Sequence, residues 1–269
     1  MNASNFAAYA NILVRDRHIA RRQLLLIGLI TLICCVALAQ TGFFDLTRFI
    51  EGGPAIRQVA SEMIPPDFTR WRNWLKPLLD TLAMSVAGTA LAVVFSLPLA
   101  FLAAPNTSLN RVTMRLSRVA LAAMRSVPEI ILGILFVAAV GFGALPGVLA
   151  LALHSIGMVA KFYAEAIEHV DPKPLEAARA AGANPLQVIV HAVLPQVLPQ
   201  LADITIYRWE YHFRASAVLG IVGAGGIGFE LMAALRLIKY DEVAAILLAI
   251  LACVIVVDSI GGALRRKLK

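Results

Sequence analysis

The sequence predicts an all-α membrane protein with six transmembrane helices in a single domain, 1–269. Three observations lead there. Hydrophobic residues make up 59% of the chain and charged residues 15%, with a mean hydropathy of +0.78. Soluble domains carry about 25% charged residues, so the excess apolar surface has to meet lipid. Apolar runs recur at lengths near the roughly 20 residues that a bilayer core asks of a helix. The basic residues, which give a net charge of +7, gather at Arg15, Arg17, Arg21 and Arg22, at Arg111, Arg115 and Arg118, and at Arg265, Arg266, Lys267 and Lys269. Clusters beside apolar spans are the positive-inside signature. They do not spread into a nucleic-acid-binding face, so no nucleic-acid partner is expected.

Taken in order, the first span is about 24–39. It follows a basic stretch, and Ala37-Leu38-Ala39 resembles a signal-peptide cleavage site, but the run is slightly long for that role and is expected to stay as a helix. Residues 41–77 mix charges with Trp71, Trp74 and Pro65-Pro66, as an interfacial helix would. The second span is about 78–104, the third about 119–140 and the fourth about 148–166. A polar loop, 171–195, precedes a fifth span at about 197–222 and a sixth at about 243–262. Six spans place both termini, all three basic clusters and the 171–195 loop on the cytoplasmic side. Cys34, Cys35 and Cys253 lie inside apolar runs, show no disulfide or metal spacing, and are expected to pack in the core. His18, His154, His169, His191 and His212 are scattered and read mostly as interfacial or loop residues; no metal site is expected.

The loop reads as two short helices meeting at a corner. The first is lined by Ala177, Ala178 and Ala181 and stops at Gly182. The second opens with Asn184 as N-cap, Pro185 in the first turn and Gln187 where a capping box takes Glu or Gln, and Pro195 ends or kinks it. Glu176-Ala177-Ala178, Gly182 four residues on, and Leu194-Pro195 twelve beyond that resemble the EAA loop of ABC-importer permeases. Ala192 stands where that family usually has Ile. Tyr207–Gly228 and the PPDF of Pro65–Phe68 resemble the phosphonate-importer branch.

The resemblance implies the permease fold with a cytoplasmic coupling helix, a retained first span, and a place in the bacterial inner membrane. It implies that Glu176, Ala177, Ala178, Gly182, Leu194 and Pro195 couple to an ATPase. Two permeases (a homodimer or a pair with a related permease), two cytoplasmic ATPase subunits and a periplasmic substrate-binding protein would make the importer. The sequence has no Walker A motif, so ATP would be used by the partner and no cofactor bound by this chain.

Gly223, Gly225, Gly226 and Gly228 satisfy the G-x-G-x-x-G pattern, yet a dinucleotide site needs a strand before it and a βαβ unit around it. An outer turn with closely packed helices suits them better, and in the resembled family such a turn lies at the outer end of the translocation path. The fifth span is interrupted by Asp203, Arg208, Glu210, His212 and Arg214, each costing about 2.5–3.5 kcal/mol at mid-bilayer if ionised. Glu210 and Arg214 have the spacing of an ion pair along one face; the alternative is that they face a hydrated path. Arg208 lies about 200° round the helix from Glu210, without an acid on its own turn, and is the residue expected on the path. Its planar fork suits a tetrahedral oxyanion.

The function this implies is the permease subunit of an ATP-driven importer of phosphonates, phosphite or phosphate esters, not itself an enzyme. A methionine-type amino-acid importer would share the loop and the glycine turn but would have no evident need of Arg208. A membrane-embedded hydrolase would need Asp203, His212 or Ser216 in concert, and Asp203 and His212 are about 13.5 Å apart along one helix. A stand-alone channel would leave the coupling-like loop without a purpose.

Overall fold

The computed structural model describes the backbone of residues 3–268 and the side chains of residue 20 and residues 22–267. Arg15, Arg17, Arg21, His18 and Lys269 therefore lie outside the described side chains. The chain divides into two compact units, Met1–Ser61 and Glu62–Lys269. In the first, α1 (Ala3–Gln40) contains a span-length apolar stretch, Arg22–Gln40. Its side chains from Leu24 to Leu38 are exposed, Cys34 and Cys35 among them, so these cysteines lie on an open face instead of in a core. Next comes α2 (Leu46–Glu62), with no buried residue, as an interfacial helix requires.

The second unit is built from α3 (Trp71–Ala103), α4 (Arg111–Ser126), α5 (Glu129–Val140), α6 (Ala144–Glu168), α7 (Pro172–Ala180), α8 (Pro185–Val188), α9 (Leu194–Leu219), α10 (Ile227–Arg236) and α11 (Tyr240–Leu268). Five helical stretches of the described chain are long and apolar enough to cross a membrane, or six if the bent pair α4–α5 counts as one.

That pair departs from the single third span expected at 119–140. The two helices meet at 81°. Pro128 is the cause: it bars its predecessor from the helical region, and Val127 is extended at φ −88° and ψ 122°. The fifth span departs in the other direction. Pro195 does not end a helix, because the turn before it widens: the Leu194 N–H reaches the carbonyl of Ile189, five residues back. The backbone thus runs helically from Pro185 to Val222, and the chain leaves the helix at Gly223. A π-type widening absorbs the missing donor without leaving polar groups bare in lipid.

α6 is the centre of this unit. It packs against α3, α4, α5 and α9, and its small residues Gly147, Ala150, Ala160 and Ala164 are buried. Where lipid is as apolar as the side chains, helices gain by approaching closely through such residues. At Gly157 a Cβ would stand 2.5 Å from the Leu121 carbonyl oxygen of α4, so nothing larger fits. A second cluster joins α3, α10 and α11: Trp74 is 2% exposed against Ile227, Val243 and Ile246, a core residue and not the interfacial one its sequence context suggested.

Gly228 holds α10 against α9, since a Cβ there would lie 1.8 Å from the Ala217 carbonyl oxygen. Two backbones are in contact, so no rotamer change relieves an added methyl. Gly228→Ala should cost at least about 1–3 kcal/mol through overpacking, whereas Gly52→Ala in α2, with nothing within 4 Å, should gain about 0.5–1 kcal/mol. Melting temperatures of the two variants purified in detergent check both signs.

Candidate functional site

Two features stand out in the second unit: an exposed corner and a buried polar chain. The corner is α7–α8. Asp171 caps α7 by accepting from the Lys173 N–H at 3.0 Å, and Pro172 follows in the first turn. Gly182 takes the left-handed conformation at φ +84°, with its N–H on the Arg179 carbonyl and the Ala183 N–H on the Ala178 carbonyl. That is the wrapped C-terminus expected of a glycine stop. Asn184 and Gln187 form the reciprocal capping box, at 2.9 and 2.8 Å. Leu175 and Val188 anchor the corner in the core, while Glu176, Ala177 and Gly182 are exposed and Ala178 half-buried. Leu194 and Pro195 join it to α9, and Gln196 ties it to α7 by accepting from the Asp171 N–H at 3.0 Å. Beside it runs a groove of about 410 Å³ lined by Ser108, Arg179, Pro185 and Ile189 among others.

The buried chain starts from Arg208, which is 4% exposed. Its Nε donates to Ser155 Oγ at 2.8 Å, Nη1 lies 3.2 Å from Met158 Sδ, and the guanidinium sits 4.3 Å above the Tyr211 ring. Nη2 is buried with no partner among the described residues. Ser155 Oγ is 2.5 Å from His212 Nε2, and His212 Nδ1 is 2.7 Å from Thr89 Oγ1, which donates to the Ser85 carbonyl at 2.6 Å. The Ser85 carbonyl only accepts, which sets a direction: Thr89 gives its hydrogen to that carbonyl and so accepts from His212 Nδ1–H, leaving Nε2 of a neutral imidazole to accept from Ser155, which itself accepts from Arg208. The proton of His212 therefore sits on Nδ1, facing Thr89, and every link closes with a neutral imidazole. On the other side of Arg208, the Tyr211 hydroxyl donates to Glu129 Oε1 at 2.7 Å.

The depth of these groups follows from helix rise. Ser155 is eleven residues from the start of α6 and Glu129 eleven from the end of α5, and the two helices share the turn at 141–143. Both groups therefore lie about 16 Å below that turn, near the middle of a roughly 30 Å core.

Glu210 and Arg214 do not pair with each other. Arg265 contacts Glu210, with Nη1 donating to Oε2 at 3.0 Å and Nη2 2.8 Å from Oε1, and Arg214 pairs with Asp258 at 3.1 Å. Both acidic and basic partners come from α11, which lies alongside α9 and offers a shorter reach than the next turn of the same helix. Glu210 also lies over Gly261, where a Cβ would stand 1.9 Å from its Oε1. Gly223, Gly225 and Gly226, at φ +101°, +76° and +69°, turn the chain between α9 and α10, and Gly228 makes the close helix contact. No strand occurs among the described residues, so the dinucleotide arrangement is not formed there.

Sequence reasoning named His212 only as a polar interruption of the fifth span and a hydrolase candidate, and missed the parts played by Ser155, Thr89, Tyr211 and Glu129. The signal available was the spacing of Arg208, Tyr211 and His212 at i, i+3 and i+4, which puts them on one face. Ser155, set among small residues of a buried helix, carried none.

The sequence profile described as binding-protein-dependent transport system inner membrane component matches residues 96–269. The chain is similar to the phosphite transport system permease protein PtxC of Stutzerimonas stutzeri, 61% identical over 248 residues, covering 92% of this chain and 90% of that protein. It is also similar to the putative phosphite transport system permease protein HtxC of the same organism, 39% identical over 221 residues, covering 82% and 78%. Among solved structures, the inward-facing MetNI methionine ABC transporter matches with a TM-score of 0.67 at 22% identity, covering 76% of this chain and 99% of that one. That likeness concerns the fold.

His212→Leu should strand the Ser155 hydroxyl and the Thr89 acceptor in the interior. Each unsatisfied group costs about 1–3 kcal/mol, so the purified variant should melt well below the wild type. An unchanged melting temperature would show that the chain from Arg208 to Ser85 does not hold these helices together.

Proposed function

The chain belongs to the family of inner-membrane components of binding-protein-dependent transport systems, the ABC-importer permeases, and on that premise we propose that its cargo is phosphite, a phosphonate or a related phosphorus oxyanion. It is a multi-pass membrane subunit without catalytic activity of its own. ATP is hydrolysed by a separate ATPase, and a periplasmic binding protein completes the importer.

The observation that carries the oxyanion reading is Arg208: a mid-membrane guanidinium that, among the described residues, has no carboxylate in contact and leaves Nη2 unpartnered. Such a cation is expensive to keep in a membrane, and an anionic cargo gives it a use. Ser155 and Tyr211 fix the plane of the fork, so the donors are aimed before the cargo arrives. The 61% identity to a phosphite permease supports the same cargo class. The methionine reading has the weaker sequence support, 30–31% identity to probable D-methionine permeases over 46–56% of this chain, and nothing in the site favours it. A hydrolase reading is weakened by the same geometry, because Ser155 and His212 are spent on each other and on Arg208, and both are fully buried.

In this proposal two permeases, identical or homologous, form the path, and one ATPase seats on each α7–α8 corner through Glu176, Ala177, Ala178 and Gly182. Leu194 and Pro195 pass its movement to α9. The glycine turn at 223–228 closes the outer end, and the basic clusters place both termini in the cytoplasm. Glu210 and Arg214, expected on the path from the sequence, instead hold α9 to α11 through Arg265 and Asp258. Arg208 lies 23 residues beyond Pro185 on an unbroken helix, about 35 Å along its axis. A push on the corner therefore reaches the guanidinium through one stiff element.

Arg208→Lys keeps the charge and loses the fork. With one charge-assisted hydrogen bond worth about 1.5–3 kcal/mol, phosphite uptake per inserted permease should fall roughly ten- to a hundredfold, and Arg208→Met should fall at least as far. Normal uptake by either variant in proteoliposomes with all partner subunits would remove Arg208 from the path. Gly182→Val has open space around it, so only backbone strain acts, about 1–3 kcal/mol, enough to unwind the corner. It should insert normally and lose both ATPase copurification and uptake. Retention of both would mean the ATPase docks elsewhere.

A further inference from the structure

Tyr211 joins two buried atoms that have no partner among the described residues. On the face of its ring lies Arg208, whose Nη2 is a donor left unused; at its hydroxyl lies Glu129, whose Oε2 is an acceptor left unused. The two side chains do not form an ion pair with each other. They come from different elements: Arg208 from α9, and Glu129 from the first turn of α5, where the chain restarts after the Val127-Pro128 break. The break is what brings an acidic first turn to mid-membrane. A helix N-terminus stabilises that carboxylate, and the bond from Tyr211 fixes its orientation.

A donor and an acceptor held by the face and the hydroxyl of one Tyr211 ring are complementary to a ligand that offers one acceptor and one donor. A tetrahedral oxyanion that retains one hydroxyl proton does so, with P–O⁻ for Arg208 and P–OH for Glu129. A fully deprotonated anion offers acceptors only, and it would set an oxygen lone pair and a second negative charge against the carboxylate. Resting on the oxyanion reading of Arg208, we infer that Glu129 is the specificity-determining acceptor of the path. It takes the hydroxyl hydrogen of a singly protonated oxyanion such as hydrogen phosphite and rejects sulfate. Arg208 supplies the attraction common to all oxyanions; Glu129 supplies the discrimination.

The test is direct occupancy of the permease–ATPase complex in lipid nanodiscs, with the soluble binding protein left out because it takes up ligand itself. Labelled phosphite and labelled sulfate are the probes, at mildly acidic pH so that phosphite keeps its hydroxyl proton. Wild type should prefer phosphite by at least about tenfold, since a site built to hydrogen-bond a hydroxyl strongly rejects an analogue lacking it. Glu129→Gln, which is isosteric and can donate, should gain sulfate and bring the two affinities within about threefold. Tyr211→Phe removes the bond to Glu129 but leaves the carboxylate, and should weaken binding while keeping the preference. A purely structural role for Glu129 would lower both affinities together in Glu129→Gln and leave their ratio unchanged; that result overturns the inference, as does a wild type with no preference. Arg208→Lys separates the two layers. It should weaken both anions at constant ratio, and if it changes neither, or if wild type shows no saturable occupancy because only water bridges the two groups, the oxyanion reading fails and Glu129's role with it.

Discussion

Much of this structure follows from one requirement, that a polar group at mid-membrane must be satisfied from within the protein. Arg208 imposes it most severely, because a guanidinium can only donate. Ser155 answers by accepting, and the far end fixes the rest: the α3 carbonyl takes the Thr89 hydrogen, Thr89 accepts from His212 Nδ1–H, and a neutral His212 accepts from Ser155 at Nε2. The chain ties α9 to α6 through Ser155 and α9 to α3 through Thr89, so these helices are registered by a few buried polar atoms. An apolar core of Ala and Gly packs closely but slides easily, and directed hydrogen bonds do not. That is a reason for histidine at 212, where a leucine would satisfy packing.

The same requirement explains the wider turn at 189–193. A proline at position 195 removes one backbone donor, and a normal helix would leave a carbonyl bare at the membrane edge. Widening lets the Leu194 N–H reach Ile189 and keeps the helix whole. The result joins the exposed corner to the buried site without a hinge between them. Had Pro195 broken the helix, a force on the corner would have been lost in a flexible joint.

The sequence made the long apolar helices, the corner and its caps legible, because periodicity, Gly182, Asn184 and Gln187 act locally. It made Arg208 legible for the same reason, since the lack of an acid on its own turn is a statement about one helix. What escaped it depended on neighbours. Glu210 and Arg214 looked like partners along α9, but Arg265 and Asp258 on α11 reach them first. Trp74 looked interfacial until α10 and α11 closed over it. The bend at Pro128 was readable from the residue before a proline, but a single apolar run across 119–140 outweighed it. Its consequence, an acidic first turn in the middle of the membrane, was therefore hidden as well.

The charges within the fifth span then sort themselves. Asp203 is exposed, Glu210 is neutralised by Arg265 and Arg214 by Asp258, which leaves Arg208 of α9, joined through a phenol to Glu129 of α5. With opposite charges this near, the pair carries little net charge, which eases the cost of holding either in the membrane. Yet they stop short of contact, and a contact ion pair would leave nothing to offer a cargo. The Tyr211 ring is the device that keeps them apart: its face attracts the cation and its hydroxyl holds the anion. A site of zero net charge admits a monoanion at the expense of one uncompensated charge and a dianion at the expense of two. On the proposed oxyanion reading, separation by an aromatic spacer would make the path permissive for singly charged oxyanions while the empty protein remains electrically quiet.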